Sequence, residues 1–235
     1  MTRRPACLID TFTVQDPVNL FSSVLAGLRS KCTNQRAIFA DLVHWYDPTS
    51  LQSFIINPRT LRAFAGALLE DNATMTYVLL GAHPTMLNSM PKAVLDIIRM
   101  MNADMLESQA KFSFSFVDGL TQESLVPLAA TLIGYPVAYV PISADQTSFL
   151  SGQPLDVYEA TVVPQTSQPS SLQAFGQQHT LLKFSCPCSL AETNLEVSAD
   201  CITKRLQSRF QECLSLIGSS LLVHHHIEIT DRVAL

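Results

Sequence analysis

Five short apolar runs, each leading into a segment with helix-start chemistry and helical spacing, occupy the first 140 residues. A chain written this way is constrained to bury a sheet between helices. The first run is Cys7-Leu8-Ile9-Asp10, after which Asp16-Pro17 supplies an N-cap carboxylate and a first-turn proline. Val18, Phe21, Leu25 and Leu28 then recur at helical steps, and Arg29 and Lys31 sit where cations favour a helix end. Ala37 to Val43 reads as a second strand. Asn57-Pro58 repeats the cap chemistry ahead of a helix carrying Leu61, Phe64, Ala65 and Leu68, and Tyr77 to Leu80 is a third strand ending at Gly81.

Ser89 and Pro91 open a helix on which Val94, Ile98, Met101 and Met105 share a face. Phe112, Phe114 and Phe116 then alternate with Ser113 and Ser115, the mark of a strand with one drier face. Thr121 caps a helix bearing Leu125, Leu128 and Leu132, which stops at Gly134 and leads to the strand Val137 to Val140. Strands separated by helices imply parallel crossovers, so the expected N-terminal sheet is mainly parallel and covered on both faces.

The last 90 residues change character. Polar stretches at Ser143 to Gly152 and Gln165 to Gln178 flank the strand-like run Leu155 to Val163, and the second stretch, rich in Gln, Ser and Pro, has the composition of disorder. Thr180 to Ser185 is a further strand. Ser198 caps a helix over about 199–217 with Ile202, Leu206, Phe210, Cys213 and Ile217 on one face, and Leu221 to Ile229 closes the chain as a strand. The expected fold is α/β: a single domain over 1–235 in three layers, with a βα-alternating core over 1–141 and an antiparallel, strand-rich extension over 142–235.

With 47% hydrophobic and 15% charged residues, 235 residues suffice for one large core. The net charge of −5 is thinly spread, and no basic cluster in sequence exceeds Arg3-Arg4 or Lys204-Arg205, so nucleic acid is not an expected partner. No apolar run reaches the roughly 20 residues of a membrane helix, which argues against a membrane association. Asp10 interrupts the N-terminus before an apolar signal core forms, so the expected compartment is the cytosol, with or without the nucleus. Six cysteines in a chain of this length read as reduced thiols, and the sequon Asn72-Ala73-Thr74 then never meets the glycosylation machinery.

Eight glycines, none two apart, exclude both G-x-G-x-x-G and the Walker loop, and G-x-S-x-G is also missing. The sequence identifies no cofactor. Polar residues do collect where parallel strands should end: Asp10, Asp41 with His44, His83 after Gly81, and Asp118 before Gly119. Carboxylates and imidazoles converging on such a rim would supply an acid and a base or hold a divalent metal; ordinary turn chemistry also accounts for them. His224, His226 and Glu228 share one face of the last strand and form a candidate metal set, although a polar-protected edge strand explains the same residues. Cys186-Pro187-Cys188 lacks the two-residue spacer of redox and zinc motifs and reads as a loop after a strand.

From Ile133-Gly134-Tyr135-Pro136-Val137-Ala138-Tyr139, through Pro154-Leu155-Asp156-Val157-Tyr158 and Leu182-Lys183-Phe184-Ser185-Cys186-Pro187, to Val233-Ala234-Leu235, the chain resembles the uncharacterised eukaryotic family typified by human chromosome 1 open reading frame 74. That resemblance implies a small soluble eukaryotic protein and carries over no catalytic residues. Two expectations follow for function. One is a non-catalytic binding or assembly protein with a protein partner, using its C-terminal strand material as an edge. The other is a hydrolase or transferase, with or without a metal, acting through Asp10, His44, His83 and Asp118.

Overall fold

The computed structural model describes residues 4–12, 14–31, 39–69, 75–108, 110–116, 118–146, 150–164 and 179–229. Its elements run β1 (Ala6–Ile9), α1 (Pro17–Lys31), β2 (Val43–Asp47), β3 (Gln52–Ile56), α2 (Pro58–Leu69), β4 (Thr76–Leu80), β5 (Pro84–Leu87), α3 (Lys92–Glu107), β6 (Ser113–Ser115) and α4 (Gln122–Ile133). They continue as β7 (Val137–Pro141), β8 (Pro154–Pro164), β9 (His179–Pro187), the one-turn α5 (Cys188–Ala191), α6 (Ala199–Ser215) and β10 (Ser219–Ile229). The chain divides into two compact units. The first comprises Arg4–Ala73 and Ser89–Gly134, and the second is built from Thr74–Asn88 and Tyr135–Leu235.

In the first unit the strand order is β1-β3-β2-β6. β3 runs antiparallel to both β1 and β2, and β6 runs parallel to β2. The cap chemistry legible in the sequence is realised at Asp16 and Asn57, whereas Thr121 precedes α4 without a side-chain cap bond. Asp16 accepts the Asn19 N–H at 3.2 Å at the head of α1, Asn57 accepts the Thr60 N–H at 3.1 Å at the head of α2, and Gly134 ends α4 at φ 74°. Trp45, Phe54, Ile56, Leu61, Ile98 and Leu128 are at most 1% exposed and knit the sheet to α2, α3 and α4. Each such side chain contributes roughly 1.5–3 kcal/mol by leaving water. Trp45 stacks on Phe114 with ring centroids 5.1 Å apart. The neighbouring His44 projects to the other side of the strand, against Phe21 of α1.

The second unit holds two sheets, β5-β4-β7 and β10-β8-β9. β4 pairs antiparallel with β5 and parallel with β7. β8 is antiparallel to both of its neighbours. Ile202, Leu206, Phe210 and Leu214 form the buried stripe of α6, which packs on β10 and β8. Ser198 caps that helix by accepting the Cys201 N–H at 3.4 Å. Tyr139 of β7 and Ser185 of β9 share a hydroxyl hydrogen bond of 2.9 Å, and Tyr158 stacks on Phe184 with centroids 5.0 Å apart.

The fold is α/β, and its sheets are mixed rather than mainly parallel. The five runs of the N-terminal half do not form one sheet: β1, β2 and β6 belong to the first unit, β4 and β7 to the second. Two hairpin partners, β3 and β5, insert antiparallel strands that helix-by-helix reading does not anticipate. The second strand runs on from Val43 to Asp47, where the expectation of Ala37 to Val43 ended it, because His44 and Asp47 are polar yet fully buried, each with a hydrogen-bond partner; residues 39–42 lie outside it, and 37–38 outside the described residues. The polar stretch Gln165 to Gln178, the sequon at Asn72 and the tail Val233 to Leu235 lie outside the described residues. No helix among the described residues is long and apolar enough to cross a membrane.

Candidate functional site

β1, β2 and β6 all run the same way in the first unit, so their carboxyl ends reach one rim. Ile9 and Tyr46 both pair with Ser53, and Tyr46 also pairs with Ser115. Asp10 is therefore level with Asp47, and the chain leaving β6 brings Asp118 to the same end of the sheet. Asp10 and Asp118 are exposed. Asp47 is 0% exposed and holds the rim together. One of its oxygens accepts the Ser50 N–H at 2.9 Å and the Ser50 hydroxyl at 2.5 Å, and the other accepts the Leu120 N–H at 2.9 Å.

The remaining rim candidates sit elsewhere. Asp41 precedes β2, at the opposite end of the strands, where it pairs with Arg59 at 2.6 Å. His44 lies within β2 and is 0% exposed; its Nδ1 shares a 2.5 Å hydrogen bond with the Ser113 hydroxyl, and its Nε2 has no partner among the described residues. Burial pushes its pKa down from 6.5 to about 4, so the ring is neutral at physiological pH. His83 belongs to the second unit, exposed in the turn between β4 and β5.

The candidate metal residues lie on β10. His224 and His226 present their rings edge to face at 5.9 Å, and His226 Nε2 lies 3.5 Å from a Glu228 carboxylate oxygen. Among the described residues no three His, Cys, Asp or Glu side chains are grouped to hold a metal ion. β10 is the edge of its sheet, hydrogen-bonded to β8 along its whole length through the pairs Ser219↔Pro164 to Ile229↔Pro154, with no described strand on its other side. Residues 224–229 are exposed on both faces, including Ile227 at 63% and Ile229 at 67%.

The face of β10 toward α6 carries a polar cluster that sequence reasoning did not assemble. His225 donates through Nε2 to the Asp156 carboxylate of β8 at 2.7 Å, and its ring lies 5.0 Å from that of Tyr158, its register partner. Cys188 lies close enough to Asp156 for the carboxylate to act on its thiol. Burial first, and then the Asp156 carboxylate, push the Cys188 pKa up to about 11; burial chiefly pushes Cys186 up to about 12. Neither thiol is a thiolate at neutral pH, so the cluster has no activated sulfur nucleophile. Among the described residues, the buried Tyr158 hydroxyl and the Nε and Nη2 of Arg205 find no hydrogen-bond partner, and burial lowers the Arg205 pKa while raising that of Tyr158. Tyr158, His225 and Cys186 meet through strand register, which the Cys186-Pro187-Cys188 spacing and the histidine run do not reveal.

Helices and mixed sheets define an α/β protein, with a long strand, β10, at a sheet edge that no other described strand covers. The chain belongs to the family described as a domain of unknown function, DUF4504, whose model matches residues 50–230. The matched stretch takes in every element from β3 to β10, including the edge and the Asp156 cluster. No curated protein and no solved structure matches the chain.

Proposed function

We propose that this is a non-catalytic binding or assembly protein whose working element is the outer edge of β10, and that the strand it accepts is β10 of a second copy. The observation that carries this reading is the eleven-residue strand Ser219–Ile229, paired on one side only among the described residues. Alternate residues of such an edge direct N–H and C=O groups outward, ready to continue the ladder. Edges are usually blunted by proline, lysine or a bulge, and β10 has neither residue and no irregularity in its pairing with β8.

The sequence of β10 favours a second copy. On the α6 side, Leu221, Val223, His225, Ile227 and Ile229 read almost the same in both directions about His225. An antiparallel copy centred there sets Leu221 opposite Ile229 and Val223 opposite Ile227, and on the other face sets His224 opposite His226. The enzymatic alternative draws support from Asp10 and Asp118 sharing a rim. It is the weaker reading, because His44 is sealed within β2 and His83 belongs to the other unit.

Light scattering coupled to size exclusion tests the edge directly. The expected mass is about twice 25.8 kDa, falling to that of one chain in the Ile227→Lys, Ile229→Lys double variant while circular dichroism is unchanged. A wild-type protein that remains one chain at rising concentration overturns the proposal, and so does a double variant that still dimerises.

A further inference from the structure

We propose that the first unit binds a compact phosphomonoester in a basic cleft at the leading ends of β2 and β6. The cleft has a volume of about 270 Å³, and its charged lining is Arg29, Arg59, Arg62 and Lys111 against the single carboxylate Asp41. Four cations to one anion leave this wall at about +3, in a chain whose net charge is −5. They arrive from separate stretches: the last turn of α1, the first turns of α2, and the segment before β6. Arg29 also braces the backbone of this unit, but gathering Arg59, Arg62 and Lys111 beside it is electrostatically costly unless something anionic lies among them.

The cations are partly ordered in advance. Arg29 donates through Nε to the Phe39 carbonyl at 3.2 Å and through Nη2 to that of Leu42 at 2.7 Å, and its guanidinium stands 4.3 Å over the Phe112 ring. Arg62 Nε donates to the Pro58 carbonyl at 3.3 Å, and no bond is made by its outer nitrogens among the described residues. Lys111 Nζ sits 5.0 Å from the Phe114 ring centroid. α2 begins at the cleft with Pro58 and Arg59, so the positive end of a twelve-residue helix faces the same space.

The lining also selects among anions. Arg62 turns the outer end of its planar fork to the cleft, and Arg29, Arg59 and Lys111 add charge around it, an arrangement suited to several oxygens on one centre; a single carboxylate would leave most of the positive charge uncompensated. Val43, Met105 and Phe114 add an apolar wall for a carbon body. The volume lies just below the roughly 300–1,000 Å³ of typical ligand pockets, so that body is small. Asp41, bound to Arg59, acts as an internal competitor for the incoming anion.

The proposal is independent of β10, and its test uses the full chain with phenyl phosphate as the probe. Calorimetry is expected to show binding of phenyl phosphate and none of phenol, with amide resonances shifting at residues 40–43, 59–62 and 111. Arg62 and Lys111 are exposed, so the Arg62→Gln, Lys111→Gln double variant should fold normally and bind about tenfold more weakly or worse. Asp41→Asn should bind a few-fold more tightly by releasing Arg59. A capped phosphotyrosine peptide that binds as well as phenyl phosphate assigns the group to a modified protein; binding of the free ester alone assigns it to a metabolite. Equal binding of phenol and phenyl phosphate, or unchanged affinity in both variants, overturns the proposal.

Discussion

Lowering the pH from 8 to 5 should cost the first unit about 2 kcal/mol through His44 alone. Burial moves the His44 pKa from 6.5 to about 4. The unfolded chain therefore takes up a proton that the folded chain refuses. The stabilisation is fully present above about pH 6.5, declines as the pH falls, and is exhausted below about pH 4, where the loss levels off near 3 kcal/mol at about 1.4 kcal/mol per pKa unit. Trp45 is the one tryptophan, adjacent in β2 and stacked on Phe114, so its fluorescence reports unfolding of this unit. Urea titrations at pH 8 and pH 5 on the wild type and on His44→Gln give the comparison. The variant loses the Phe21 contact and begins less stable, but its deficit should shrink by about 2 kcal/mol at pH 5, because other titrating groups are common to both proteins. A deficit constant to about 0.5 kcal/mol would show that the imidazole reaches solvent in the folded state and would refute the reasoning.

Gly119→Ala should destabilise the first unit by at least about 2 kcal/mol in the same assay, since φ is +69° and an added Cβ would fall 1.8 Å from the Thr49 hydroxyl oxygen; a loss below about 1 kcal/mol would mean that Thr49 swings aside. In the native protein, iodoacetamide at pH 8 should label the exposed Cys7 and spare Cys186, whose thiol is 0% exposed and pushed up to about 12. Peptide mass spectrometry showing Cys186 modified as fast as Cys7 would contradict that burial.

Where side chains follow a period or a cap, the chain states its own structure. Asp16 and Asn57 cap helices as their positions before proline imply, and Val94, Ile98, Met101 and Met105 are the buried stripe of α3. Legibility fails where buried polar groups are satisfied by distant partners. His44 and Asp47 make β2 resemble a strand exit, yet Ser113 answers one and the Leu120 amide the other, 69 and 73 residues away. The β2–β3 turn is hidden for a second reason: Leu51 takes φ +61°, a conformation normally signalled by glycine or asparagine, so Gln52–Ile56 carries no recognisable hairpin start.

The sites were less legible than the elements because they are defined by adjacency across the fold. His224, His226 and Glu228 can be placed on one strand face from a period of two, but whether that strand is covered is a property of its neighbours, and β10 has β8 on one side only among the described residues. The basic cleft makes the point in charge. Arg29, Arg59, Arg62 and Lys111 are spread over 83 residues of sequence, so a search for basic runs passes over them in favour of Arg3-Arg4 and Lys204-Arg205. The β2–β6 parallel pairing brings Asp41 and Lys111 to the same end of the sheet, and Asn57 starts α2 beside it. A field strong enough to select a dianion thus arises from topology acting on scattered cations, in a chain whose overall charge would repel one.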